Sequence, residues 1–256
     1  MAQKKKNTSV FILLIFFAMA VLVVIVFNVY DWWLEREASK ARYKEFGISL
    51  PLGYAIHGID VSRYQRIISW KEVKKMEAGG VKIGFAFIKA TEGEMDEDTY
   101  FRKNWIRTKE LGIPRGAYHF FIATKNADKQ AANFLNNVSL TKGDLPPVLD
   151  IEERYGVSAD ILRSKIKTWL QKIELSTGVK PIIYSNVDFY EKYLSGYFDE
   201  YPFWAAHYLQ PGKPRINRNW HFWQHSENGR VNGITAKVDF NVFNGDTTEF
   251  KNLLIK

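Results

Sequence analysis

"PPVLDIEERYG", residues 146–156, decides how this chain is read. Pro146 to Leu149 suit a buried strand, yet Asp150, Glu152 and Glu153 follow at once. A strand places Asp150 and Glu152 on one face and Ile151 on the other. Glu153 has the opposite parity and is expected to face solvent. Two carboxylates crowded on one face repel each other and shift each other's pKa. A fold accepts that cost for a metal, for a salt bridge or for acid–base chemistry.

Further β-type runs lie on either side of this stretch. The candidate strands are 56–61, 82–90, 115–121, 147–151, 181–185, 203–206, 221–224 and 238–242. Helical patterns separate the early ones. Residues 70–78 end at Gly79-Gly80, residues 98–111 end at Gly112, and residues 126–136 carry Ala131, Phe134 and Leu135 at helical spacing. Ser158 is placed to cap a long helix whose apolar face holds Ile161, Leu162, Ile166, Trp169, Leu170 and Ile173, with Gly178 as its stop. The first five strands alternate with helices and the last three do not. Alternation of this kind implies parallel strands with crossover helices. The expected fold class is α/β, an irregular TIM-like (β/α)5(β)3 barrel.

Residues 10–27, "VFILLIFFAMAVLVVIVF", carry no polar side chain. As a helix they span roughly 27 Å, close to a bilayer's hydrocarbon core. Lys4–Lys6 precede them, which favours a cytoplasmic N-terminus, and Tyr30, Trp32 and Trp33 follow at the far interface. A cleaved signal peptide is the competing reading. Its small-residue motif, Ala18-Met19-Ala20, lies inside the apolar run, and signal cores are shorter. The expected organisation is a basic tail (1–9), a single-pass transmembrane anchor (10–30), a spacer (31–55) with a short helix and then extended chain, and an extracytoplasmic barrel (56–256). A secreted form after cleavage stays open.

The 256 residues are 46% hydrophobic and 15% aromatic, enough for a full core. The absence of cysteine removes disulfides, thiolate metal sites and a cysteine nucleophile. The net charge of +8 includes Lys4–Lys6, and no stretch interleaves basic and aromatic residues as a nucleic-acid surface would. No nucleic-acid partner is expected.

Nearly every candidate strand delivers a polar or aromatic group near its C-terminal end: Asp60, Glu92, His119, Asp150 with Glu152, Tyr184, Trp204, Gln224 and Asp239. In barrels of parallel strands the active site lies at that end. Single residues also have plain structural readings. Asp60 suits a turn cap, His119 a satisfied core histidine, and Trp204 and Trp223 ordinary core. The acidic run Glu94–Asp98 suits a solvated loop. For Asp150 and Glu152 a salt bridge is harder to supply, because nearby Arg154 serves only one of them. Asp60, Asp150, Glu152 and Asp239 are open to two chemical readings. One is a carboxylate metal site, which no H-E-x-x-H or EF-hand spacing supports. The other is glycosidic hydrolysis, which needs one protonated and one ionised carboxyl. Tyr64, Tyr118, Tyr184, Trp204 and Trp223 offer flat faces to sugar rings.

Nine blocks carry a resemblance: "HGIDVSRYQ" (57–65), "FAFIKATEG" (85–93), "GAYHFF" (116–121), "QAANFL" (130–135), "PPVLDIE" (146–152), "PIIYS" (181–185), "FWAAHY" (203–208), "FWQHS" (222–226) and "VDFNVFNG" (238–245). In order and spacing they resemble the glycoside hydrolase family 25 lysozymes, the Chalaropsis-type muramidases, over about residues 56–250. The resemblance implies an irregular barrel and hydrolysis of the β-1,4 bond between N-acetylmuramic acid and N-acetylglucosamine in peptidoglycan glycan strands. It implies Glu152 as general acid and Asp150 as the group that orients the substrate's acetamide or stabilises developing charge. Asp60 and Asp239 would tune pKa values. Tyr64, Glu92, Tyr118, His119, Tyr184, Trp204 and Gln224 would contact the glycan. It implies no cofactor, no metal and a monomer. Ala206 and His207 depart from the usual pattern, as does the acidic run 94–98. A catalytically silent glycan-binding module and a glycosidase acting on a chitin-like glycan are the alternatives.

Overall fold

The computed structural model describes residues 2–38 and 40–256. The side chains of residues 2–9, 35, 36, 38 and 42 lie outside that description, and with them Lys4–Lys6, the charges used to orient the anchor. Helix α1 (Ala2–Ala38) runs unbroken through the apolar segment. Val10–Leu34 is long and apolar enough to cross a membrane, and none of it is buried against protein.

Residues 31–55 differ from the expected short helix and extended chain. Helix α1 continues to Ala38, and β1 (Lys40–Tyr43) and β2 (Ile48–Pro51) then pair as an antiparallel hairpin. Its turn presents Phe46, fully buried, edge-on to Phe240 at 5.2 Å, and the Arg230 amide donates to the Phe46 carbonyl at 2.9 Å. Burial of Phe46 and Leu50 makes this stretch part of the folded body.

A closed, barrel-like sheet of eight strands forms the centre of a mixed α/β fold. Its strands are β3 (His57–Val61), β5 (Val81–Glu92), β7 (Arg115–Phe120), β8 (Val148–Asp150), β9 (Ile182–Asn186), β10 (Phe203–Ala206), β11 (Phe222–Gly229) and β12 (Val238–Phe243). Two-residue strands β4 (Glu77–Ala78) and β6 (Asp96–Glu97) pair only with β5. The seven strands from β3 to β11 run parallel to their neighbours; β12 is antiparallel to both β11 and β3 and closes the ring. Helices α2 (Trp70–Lys75), α3 (Phe101–Glu110), α4 (Ala127–Asn137) and α5 (Ala159–Thr177) cross between the early strands. The short α6 (Val187–Phe189) runs into a π-helical turn, Tyr190–Leu194, after β9.

Three local differences have physical causes. Helix α2 stops at Lys75, because Gly79 and Gly80 both take positive φ and turn β4 back onto β5 as a tight hairpin. On α5, Ser158 caps the first turn and Gly178 ends the helix in the left-handed conformation, but Ile161 is exposed. Asp98 is buried: its carboxylate accepts from the amides of Arg63 (2.7 Å) and Tyr100 (2.9 Å).

Strand alternation sorts the core into two layers. Residues such as Ile59, Ile88, Leu149, Ile151, Ile183 and Phe203 face outward under the helices. Phe85, Phe87, Val148, Ile182, Trp204, Phe222 and Phe243 fill the barrel. The two large rings from β5 need space opposite. A Cβ on Gly58 would lie 2.5 Å from the Phe85 ring, and one on Gly116 would lie 2.6 Å from Phe87. Helix α7 (Thr247–Leu253) sets Phe250 against Phe85 and Phe243 and plugs the lower end. The apolar filling thus occupies the lower barrel, and the polar inward residues lie at the other end.

Candidate active site

The upper ends of the strands enclose a cleft of about 250 Å³. Asp60, Tyr64, Tyr118, Asp150, Glu152, Tyr184, Trp204, Gln224 and Asp239 all line it. These include the four carboxyls expected from the sequence. Asp150 ends β8, Ile151 turns outward into the core, and Glu152 returns to the cleft, as strand parity requires. Glu153 is exposed.

Asp60 and Asp239 are directly paired across β3 and β12. Asp60 Oδ2 accepts from Asn241 Nδ2 at 2.7 Å and from Gln224 Nε2 at 2.9 Å. Gln224 Oε1 accepts from the hydroxyls of Tyr184 (2.8 Å) and Tyr208 (2.6 Å), and Asn241 Oδ1 accepts from Trp204 Nε1 (2.8 Å). Each amide is therefore held at both ends. Burial pushes Asp60 up to about 6, although hydrogen bonds from Asn241, Gln224 and Asp239 oppose it. Burial, reinforced by the charge on Asp60, pushes Asp239 up to about 9. Near neutral pH the pair holds one proton, carried by Asp239 and donated to Asp60.

Asp150 and Glu152 form the second pair. Asp150 is buried, and its Oδ1 has no hydrogen-bond partner among the described residues. Burial and then the Glu152 charge raise its pKa well above the carboxylate range. Glu152 stands open to solvent at the mouth, but the protein walls around it also raise its pKa, against the hydrogen bond from Asp150 and the charge of Lys89. The dyad retains a proton on Asp150 while Glu152 accepts its hydrogen bond. Burial and the surrounding carboxylates keep the hydroxyls of Tyr118 and Tyr184 protonated, as donors.

Three expected contacts, His119, Glu92 and Trp223, do not line the cleft. His119 faces outward, fully buried, bonded to Thr91 Oγ1 at 2.7 Å and 3.3 Å from Gln130 Oε1, with its ring stacked on Trp169. It follows Tyr118, which faces inward, so the two cannot share a face. Burial pushes its pKa down to about 3, so it is a neutral core histidine. Glu92 instead pairs with Lys89 at 2.6 Å. Trp223 also faces outward, donating to the His207 carbonyl. Trp204 reaches the cleft only in part, because Phe87 covers one face at 4.3 Å.

Sequence reading missed Lys89, Phe120, Tyr208, Glu227 and Asn241. Lys89 follows Phe85 and Phe87 in parity, and Asn241 follows Asp239, so alternation carried the signal for both. Among the described residues no group of three histidine, aspartate or glutamate side chains is arranged to hold a metal.

Paired carboxyls at the upper ends of the strands are the arrangement that glycosidic hydrolysis uses. Residues 59–234 match glycosyl hydrolases family 25, and the chain belongs to that family. It is 51% identical over 208 residues to uncharacterized protein YegX of Escherichia coli (strain K12), covering 81% of this chain and 76% of that one. It is 37% identical over 207 residues to Lysozyme M1 of Streptomyces globisporus, covering 74% and 68%. Among solved structures it is similar to a family 25 glycosyl hydrolase from Bacillus anthracis, with TM-score 0.73, 33% identity and coverage of 79% and 94%. A bacterial lysozyme from Streptomyces coelicolor is similar at TM-score 0.69 and 34% identity, covering 78% and 96%.

Proposed function

We propose that this chain is a membrane-anchored muramidase that cleaves the β-1,4 bond between N-acetylmuramic acid and N-acetylglucosamine in peptidoglycan. The observation that carries the reading is the Asp150–Glu152 dyad, two carboxyls brought together in a cleft lined by tyrosines, where burial raises the pKa of both. Glu152 is the member open to the mouth and is the general acid for the leaving oxygen. Asp150 is deeper, and its free Oδ1 suits the N–H of a substrate acetamide. An N–H donated to Asp150 favours its ionised form. The dyad proton then passes to Glu152, which delivers it to the glycosidic oxygen. The acetamide carbonyl, oriented by Asp150, attacks the anomeric carbon as the bond breaks, and water later opens the ring so formed. Such substrate assistance is a known exception to the two-carboxylate scheme. Asp60 and Asp239, with Gln224 and Asn241, fix the dipoles around the reacting sugar.

In this reading the sheet is the (β/α)5(β)3 form of the TIM-like barrel. Helix α1 holds the protein in a membrane with its N-terminus cytoplasmic and the barrel outside, as a monomer. Its partners are glycan strands and lipid.

The test uses purified full chain in detergent on peptidoglycan, with borohydride reduction of the products and mass spectrometry. New muramitol ends, lost in Glu152→Gln with the fold intact, are expected. New glucosaminitol ends, or no new ends from folded wild type, would refute the reading.

A further inference from the structure

The segment joining the membrane helix to the barrel is short. Only residues 35–39 separate Leu34, the last residue of the membrane-crossing stretch, from Lys40, the first of β1. Leu34 to Ala38, the end of α1, is about 6 Å at helical rise, and one further residue precedes β1. The hairpin beyond it is docked through Phe46 and Leu50, so it offers no slack. With α1 in a bilayer, the barrel sits directly against it, and which of its faces does so follows from what lies next to α1.

A cavity of about 360 Å³ joins α1 to the barrel. Trp33 and Glu37 line it from the helix, and Leu209, Ser226 and Asn228 from the barrel. These three barrel residues are chain neighbours of Tyr208 and Glu227, which line the catalytic cleft. One wall, made by the loop after β10 and the upper end of β11, thus has the catalytic cleft on one side and the membrane helix on the other. Leu209 tops this wall. It is 68% exposed and held at φ 58, a left-handed conformation that a leucine rarely adopts. An exposed leucine beside the tryptophan-bearing end of a membrane helix is matched to the lipid interface.

We propose that Leu209 and the wall beneath it rest on the lipid interface, so that the cleft opens at the bilayer surface. Its substrate is then glycan held at the membrane by a lipid anchor, cut before it reaches the more distant wall. This inference rests on the proposed function: on the muramidase for its substrate, and on the membrane anchor, with the geometry around α1, for the contact with lipid.

The chain has no cysteine, so single probes can be placed cleanly. Full chain carrying Leu209→Cys, labelled with an environment-sensitive fluorophore, is reconstituted in phosphatidylethanolamine–phosphatidylglycerol vesicles. Leu175→Cys, exposed on α5, is the control. Quenching by lipid-borne spin labels is expected to be at least fivefold greater at 209 than at 175; equal quenching overturns the contact. In the same vesicles, lipid-linked glycan should be cut at least tenfold faster than isolated sacculi. Leu209→Glu should reduce that preference several-fold while cleaving soluble glycan oligosaccharides at the wild-type rate. Equal rates on the two substrates, or a preference untouched by Leu209→Glu, overturn the proposed substrate. Failure to cut even the soluble oligosaccharides refutes the muramidase reading and with it the substrate, whereas the probe at 209 still decides the lipid contact.

Discussion

Replacing Asp239 with asparagine tests the electrostatics of the cleft through stability. Asp239 has its pKa pushed from an ordinary 3.8 to about 9, by burial first and then by Asp60. A carboxyl whose folded pKa lies above its unfolded one binds its proton more tightly when folded. The stability it contributes is fully present below about pH 4 and is lost as pH rises toward 9. At pH 7 roughly three pKa units have been lost, an upper bound of about 4 kcal/mol. Asp239 is only partly enclosed, so about half of that, ~2 kcal/mol, is the expected size. Asparagine keeps an N–H to donate to Asp60 and removes the ionisable group. Asp239→Asn should therefore be more stable than wild type at pH 7, with a Tm gain of roughly 4–8 °C. The gain should shrink to almost nothing at pH 4, and hydrolysis should fall at both. The assay is thermal unfolding of full chain in detergent micelles, followed by circular dichroism. A gain of equal size at pH 4 and pH 7, or a loss at pH 7, would refute the shared-proton account of Asp60 and Asp239.

Two further substitutions probe other parts of the argument. Lys89 is almost fully buried, and its charge lowers the pKa of both Asp150 and Glu152. Lys89→Met should move the basic limb of the pH profile of kcat/KM upward by roughly one unit, since the general acid then keeps its proton to higher pH. An unmoved limb with unchanged kcat/KM would sink that role. Phe46→Ala removes a fully buried ring from the hairpin and should cost about 3–5 kcal/mol, read as a large fall in Tm. A Tm within a degree of wild type would mean that the hairpin is a loose tether, and the short stand-off from the membrane would lose its support.

How much of this was legible depended on whether the signal lay along the strand or between strands. Positions along a strand were readable. The eight candidate strands correspond to the eight of the barrel, because short apolar runs between glycine and proline stops leave few other readings. Parity alone placed Ile151 in the core and returned Glu152 to the cleft. The same parity, applied strictly, would have removed His119 and Trp223 and added Lys89. Other features depend on long-range partners. Asn241 shares the inward parity of Asp239 on β12, but parity alone does not name its partner. Its role follows only from the antiparallel pairing of β12 with β3, which brings it to a carboxylate 181 residues away. The hairpin at residues 40–51 was hidden for a related reason. "KARYKEFGISLP" is too charged to resemble a core segment, and it is anchored by Phe46 and Leu50, which meet a surface formed by the far end of the chain. A charged segment becomes part of a fold when one or two large apolar side chains find a prepared surface. That surface, around Phe240 and Arg230, exists only once the barrel has closed. The hairpin's place in the fold is therefore set by β12 and the end of β11, not by its own sequence.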